Sequence, residues 1–120
     1  MRKFTEEHDW LVVEGDVATV GITEHAAEEL GDLVYVELPK LGAALAKGDT
    51  VAVVESVKTA YDIASPVTGE IVAINQSAAD DPAIVSAEPL GQGWIYKIKL
   101  SKPAEVEELM DETAYKASLT

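Results

Sequence analysis

The chain is expected to fold as a mostly β barrel or sandwich with short helical additions, on three observations. Chain breakers recur at short intervals: Gly15-Asp16, Gly31-Asp32, Pro39, Gly48-Asp49, Pro66, Gly69, Pro82, Pro89, Gly91 and Gly93. The segments between them are short and rich in Val and Ile, which suit a pleated, half-buried surface. Hydrophobic residues make up 48% of 120 positions, enough for one modest core and against disorder.

Each element follows from local pattern. Asp9–Val13 and Val17–Ile22 read as a hairpin around Gly15-Asp16. Thr23 is placed to cap a short helix, Glu24–Leu30, which Gly31 ends. Leu33–Leu38 alternates as a strand and stops at Pro39. Further strands fall at Thr50–Glu55, Tyr61–Ala64 and Glu70–Asn75. Between the last two, Ser65-Pro66-Val67-Thr68 suits a type I turn with Gly69 in the left-handed region. Gln76–Glu88 reads as a loop with one helical turn near Pro82–Val85. In Trp94–Leu100, residues Trp94, Tyr96, Ile98 and Leu100 share one face, marking a half-buried strand. Pro103 opens an acidic helix through Met110, and Asp111 caps a last short one through Lys116. With no linker or low-complexity tract, residues 1–120 read as one domain. The C-terminal helical segment, 103–117, is expected to pack on its side.

Composition removes several function classes. The chain carries 22 acids against 9 bases, a formal charge of −13, so phosphate backbones would be repelled and nucleic acid is not an expected partner. No apolar run approaches the length of a membrane span. Met1-Arg2-Lys3-Phe4-Thr5 has neither the apolar core of a signal peptide nor transit-peptide character, so a cytoplasmic protein of a bacterial type is expected. There is no cysteine, which excludes disulfides, thiolate metal sites and a cysteine nucleophile. Thiol redox chemistry would have to arrive on a cofactor.

The residue that draws the eye is Lys58. Valine-rich sequence (Val51, Val53, Val54) leads up to it and Tyr61–Ser65 leads away, so Ser56-Val57-Lys58-Thr59 has room only for a tight connection. An exposed turn lysine is ordinarily a solvated charge. Here it is a presented amine within a hairpin over 50–65, with Glu55 three residues before it and Gly69 eleven after.

That arrangement resembles the modification site of lipoyl and biotinyl carrier domains, in which a lysine at a hairpin apex is acylated. Glu55-Ser56-Val57-Lys58, with Asp62, Ser65-Pro66-Val67-Thr68-Gly69-Glu70 and Asn75, is similar to the H-protein family of the glycine cleavage system. So are Thr5-Glu6-Glu7-His8-Asp9-Trp10, Val20-Gly21-Ile22-Thr23, Leu30-Gly31-Asp32, Val36-Glu37-Leu38-Pro39, Glu88-Pro89, Gly93-Trp94 and Lys97-Ile98-Lys99. The likeness therefore spans essentially the whole chain.

The resemblance implies a hybrid barrel-sandwich fold and a non-catalytic carrier with lipoate in amide linkage to Lys58. It implies that a lipoyl or octanoyl transferase, or a lipoate–protein ligase, attaches the group and reads Glu55 and Gly69. It implies as partners a pyridoxal-phosphate-dependent glycine decarboxylase, a tetrahydrofolate-dependent aminomethyltransferase and a dihydrolipoamide dehydrogenase. Carried over residue by residue, Glu7, Asp9 and Asp62 would form the pocket for the aminomethyl-lipoyl arm. Asp9 departs from the glutamate usual before that tryptophan. Tyr61 (serine is frequent there), Leu90 and Ser86 also depart, and are read as partner-facing surface. A lipoyl relay or amidotransfer donor, a generic lipoyl or biotinyl domain, and an unmodified acidic interaction protein are the alternatives.

No metal site is expected. His8 and His25 lie in neither an HxH nor an HExxH spacing, and two histidines without cysteine are a poor zinc signature. No GxSxG elbow is present, so an intrinsic hydrolase site is not expected either. Trp10, Trp94, Tyr35 and Tyr96 read as core or edge aromatics.

Overall fold

The computed structural model describes residues 2–119. The hairpin read at Gly15-Asp16 is present: β2 (Asp9–Glu14) pairs antiparallel with β3 (Val17–Ile22), with Glu14 opposite Val17. Gly15 has φ +65 and Asp16 does not, the geometry of a two-residue turn with glycine first, whose twist matches the strands it joins. β3 continues to β9 (Tyr96–Leu100), then β8 (Gly69–Ile74) and the two-residue β5 (Ala44–Leu45). On the other side β1 (Arg2–Phe4) pairs with β2 and closes a six-stranded sheet, order β1-β2-β3-β9-β8-β5. A second sheet of three strands has the order β4 (Leu33–Glu37), β6 (Thr50–Ser56), β7 (Ala60–Ala64).

The two sheets form an open barrel-sandwich. Their inward residues meet in one cluster in which Val20, Ile22, Ile71 and Ile98 of the large sheet join Val54 and Ile63 of the small one. A smaller cluster of Phe4, Trp10 and Tyr115 lies outside it, with Leu90 and Trp94 against it. It seats the C-terminal helix α4 (Glu112–Ser118): the Phe4 and Tyr115 rings stack with centroids 4.6 Å apart. Helix α1 (Glu24–Leu30) starts where Thr23 Oγ1 accepts the Ala26 N–H at 3.3 Å, as its sequence requires.

Several expectations change. Gly69 does not adopt the left-handed conformation; it lies extended in β8. Its glycine is required by space, since a Cβ there would sit 2.0 Å from the Lys99 carbonyl oxygen across the ladder. The helical turn read near Pro82–Val85 is present as α3 (Ala83–Ala87), but the rest of Gln76–Glu88 is not all loop: α2 (Gln76–Asp80) forms as well, and each helix buries an apolar side chain, Ala78 and Val85. The Asn75 side-chain amide donates to the Gln92 and Trp94 carbonyls, tying this helical segment to the strand that follows. Pro103–Glu108 is a 3-10 helix and stops short of Met110, which instead exchanges backbone hydrogen bonds with Phe4. Asp111 caps α4 as read, accepting the Ala114 N–H at 2.8 Å, and that helix runs on to Ser118.

Candidate functional site

The amine at the hairpin tip comes first. In β6–β7 the last strand pair is Glu55 with Ala60, so the chain reverses over Ser56-Val57-Lys58-Thr59. The Ser56 amide donates to the Thr59 carbonyl at 2.8 Å. The Ser56 hydroxyl oxygen accepts from the Thr59 amide at 3.2 Å and from the Lys58 amide at 3.4 Å. One buried serine therefore fixes the turn from inside, and Val57 and Lys58 project outward. Val57 is 85% exposed. Lys58 is exposed and forms no ion pair among the described residues. Its stem lies over the end of α1, with Cε 3.8 Å from where a Cβ on Gly31 would be.

The carboxylates separate into two places. Asp9 is 1% exposed, with Oδ1 3.4 Å from the Tyr61 hydroxyl and Oδ2 without a hydrogen-bond partner. Burial, then the neighbouring Glu7 charge, push its pKa well above the ordinary carboxylate range, while the Tyr61 hydroxyl pulls the other way. The same hydroxyl donates to the Glu7 backbone carbonyl, and burial followed by the Asp9 charge raises the Tyr61 pKa. Glu7 itself is exposed. Asp9 and Glu7 line a cavity of about 320 Å³ together with Lys47, Ser65 and Met110. That cavity reaches the hairpin at Ala64, the end of β7 away from Lys58.

Asp62 lies elsewhere. Tyr61 and Ile63 pack toward the core while Ala60 and Asp62 face out, as the two-residue period of a strand demands. Glu55 is half-buried beside the turn, and Gly69 is buried in the other sheet. Sequence reading missed Tyr61: placed among surface departures, it is the clamp between the hairpin and the Glu7–Asp9 turn. Ser86 and Leu90, both half-buried, also make contacts within the fold. Ser86 Oγ accepts the Leu33 amide at 3.2 Å, and Leu90 packs on the small cluster while its carbonyl accepts from Arg2. The two histidines, far apart in sequence, stand with ring centroids 4.4 Å apart. Burial and the His25 charge lower the His8 pKa, with Glu29 opposing them.

A lysine exposed on a braced hairpin of an open barrel-sandwich is the arrangement that suits a carrier of a covalently attached group. The comparisons with known proteins specify which. The family model described as Glycine cleavage H-protein matches residues 2–120. The glycine cleavage system H protein of Bradyrhizobium diazoefficiens is 54% identical over 114 residues, covering 95% of this chain and 93% of the relative. The crystal structure of a glycine cleavage system H protein from Mycobacterium marinum superposes with a TM-score of 0.89 at 38% identity, covering 98% of this chain and 94% of that one. The chain belongs to the glycine cleavage H-protein family, lipoyl carriers of the glycine cleavage system that hold lipoate covalently on a lysine.

Proposed function

We propose that Lys58 is the lysine that carries lipoate, within a single domain over 1–120 whose working part is the hairpin 50–65. The observation that carries this reading is the exposed, unpaired Lys58 amine on a turn braced by the Ser56 hydroxyl. When bound, lipoate supplies a disulfide that takes up the aminomethyl group of glycine and is restored by reoxidation. The chain's own part is to present, position and shield; it catalyses no step.

The partners in this reading are the pyridoxal-phosphate-dependent glycine decarboxylase, the tetrahydrofolate-dependent aminomethyltransferase and dihydrolipoamide dehydrogenase, with the protein in the cytoplasm. A lipoyl or octanoyl transferase, or a lipoate–protein ligase, loads Lys58. Glu55, half-buried one residue before the turn, offers that enzyme a carboxylate. Gly69 contributes to recognition through the backbone shape that its packing allows. Between partners, Glu7 and Asp9 receive a cationic amine in the cavity at the hairpin base, where burial strengthens a charge-assisted hydrogen bond. Asp9 Oδ2, buried and without a donor, supports that role, since an ammonium would give it one. Asp62 acts from the outer face of β7, on the path between tip and base.

The test is intact mass and peptide mapping after incubation with lipoate, ATP and a lipoate–protein ligase. One lipoyl addition, on Lys58 and lost in Lys58→Arg, is expected. Addition to another lysine, or none with a folded protein and an active ligase, would overturn the assignment.

A further inference from the structure

The turn between β1 and β2 places His8 against helix α1, and three metal-ligating side chains converge there. His25 and Glu29 are one helical turn apart on α1 and form a direct ion pair. His8 comes from the other side, its ring tilted 43° over His25. The donor atoms of His8, His25 and Glu29 all lie within 4.8 Å of one another.

His8 is fixed there by backbone and ring contacts. It has φ +69, in the left-handed region that residues with a side chain enter only at a few per cent of positions, histidine more readily than most. Its amide donates to the Thr5 carbonyl at 3.1 Å and its carbonyl accepts from the Thr23 amide at 2.9 Å. On the ring, Nδ1 lies 2.8 Å from the Tyr115 hydroxyl, which lies 2.8 Å from Thr23 Oγ1. With the proton on Nδ1, His8 donates to Tyr115, and Tyr115 donates to Thr23. That tautomer leaves the Nε2 lone pair free. An outer partner on the second nitrogen of an imidazole is the arrangement that orients metal-binding histidines.

A surface ion pair on α1 accounts for His25 and Glu29, but not for a third donor brought from another segment with one ring nitrogen tied to Tyr115. We propose that His8, His25 and Glu29 form a site for a divalent transition ion of the zinc class, with one position left for water. Two imidazoles and a carboxylate suit zinc and disfavour calcium or magnesium, which prefer oxygen. Tetrahedral bonds of about 2.0–2.1 Å put donors about 3.4 Å apart, and rotation of the half-exposed His25 and exposed Glu29 side chains closes the remaining gap. A bound ion would clamp the Glu7–Asp9 turn to α1. Tyr115 would act as a positioning residue from α4.

The experiment is calorimetric titration of the full chain with zinc chloride, any affinity tag removed and any lipoyl group kept oxidised. One saturable equivalent is expected, with a rise in Tm when zinc is added. His25→Ala should remove that binding without changing the metal-free Tm by more than a few degrees. His8→Asn should do the same, since asparagine tolerates the left-handed conformation. Tyr115→Phe should weaken binding by about 10- to 100-fold. If His8→Asn fails to fold, the half-exposed His25 keeps the test decisive. No saturable equivalent, or one bound with undiminished affinity by His25→Ala, would overturn the site.

Discussion

With Oδ1 facing only the Tyr61 hydroxyl and Oδ2 facing no donor, the Asp9 carboxylate gives up most of its hydration on folding. Its folded pKa therefore lies above the unfolded one, so the folded state binds the extra proton. Relative to a neutral residue, Asp9 costs nothing below the ordinary carboxylate value near 3.8, and its cost grows as pH rises through the folded value. Asp9→Asn should thus raise Tm at pH 7 by about 3–6 °C, the shift of about 1 kcal/mol in a domain of this size. The gap should close as pH falls toward 4. Melting curves of both proteins across that range check it, since carboxylates common to the two cancel; a gap constant with pH would mean that Asp9 does not titrate differently on folding. Gly69 is the contrasting case, in which space alone decides. A Cβ 2.0 Å from the Lys99 carbonyl must move two paired strands, so Gly69→Ala should cost about 3 kcal/mol in urea unfolding. Any loss of lipoylation in that variant has to be read after this loss of stability.

At the scale of elements, the β6–β7 hairpin holds its tip through one hydroxyl. Ser56→Ala removes the acceptor for the Lys58 and Thr59 amides, and should cost about 1 kcal/mol. The loss should be local. Hydrogen exchange is expected to quicken at Thr59 while Val54 and Ile63, buried at 0% exposure, stay protected. Equal acceleration in both places would mean that the turn is not an independent brace. The hairpins and α1 were legible in the sequence because they are local: two-residue turns, period-two alternation, and a cap three residues from its amide. β1 and β5 were not, since Arg2–Phe4 and Ala44–Leu45 are strands only by virtue of the partners that fold beside them. The same limit hid α2, whose Ala78 finds the core, and left α3 legible only as a helical turn near Pro82–Val85. It also split the candidate site. Lys58 announced itself by turn geometry, whereas the Tyr61 clamp and the meeting of His8 with His25 join segments far apart in the chain.

For the whole molecule, the dominant quantity is charge. Twenty-two acids against nine bases leave −13, and the acylation proposed for Lys58 would remove one further positive charge. Among the described residues only three ion pairs form, all at least partly exposed, so most of this charge is uncompensated and faces solvent. The few exposed pairs add little stability, each worth under about 1 kcal/mol, and the uncompensated remainder opposes compaction by self-repulsion that salt screens. Its benefit falls on encounter instead. A carrier must meet several components in turn and leave each one, which favours fast association over lasting contact. A strongly acidic surface speeds approach to basic patches and leaves little specific area to break on departure. Association with the glycine cleavage components should therefore slow steeply with ionic strength, by about tenfold or more between low and physiological salt. Dissociation should change much less. Stopped-flow measurements with the lipoylated chain at several salt concentrations separate the two rates. A salt dependence carried by dissociation would instead place the acidic groups inside a formed interface, where paired charges hold the complex together.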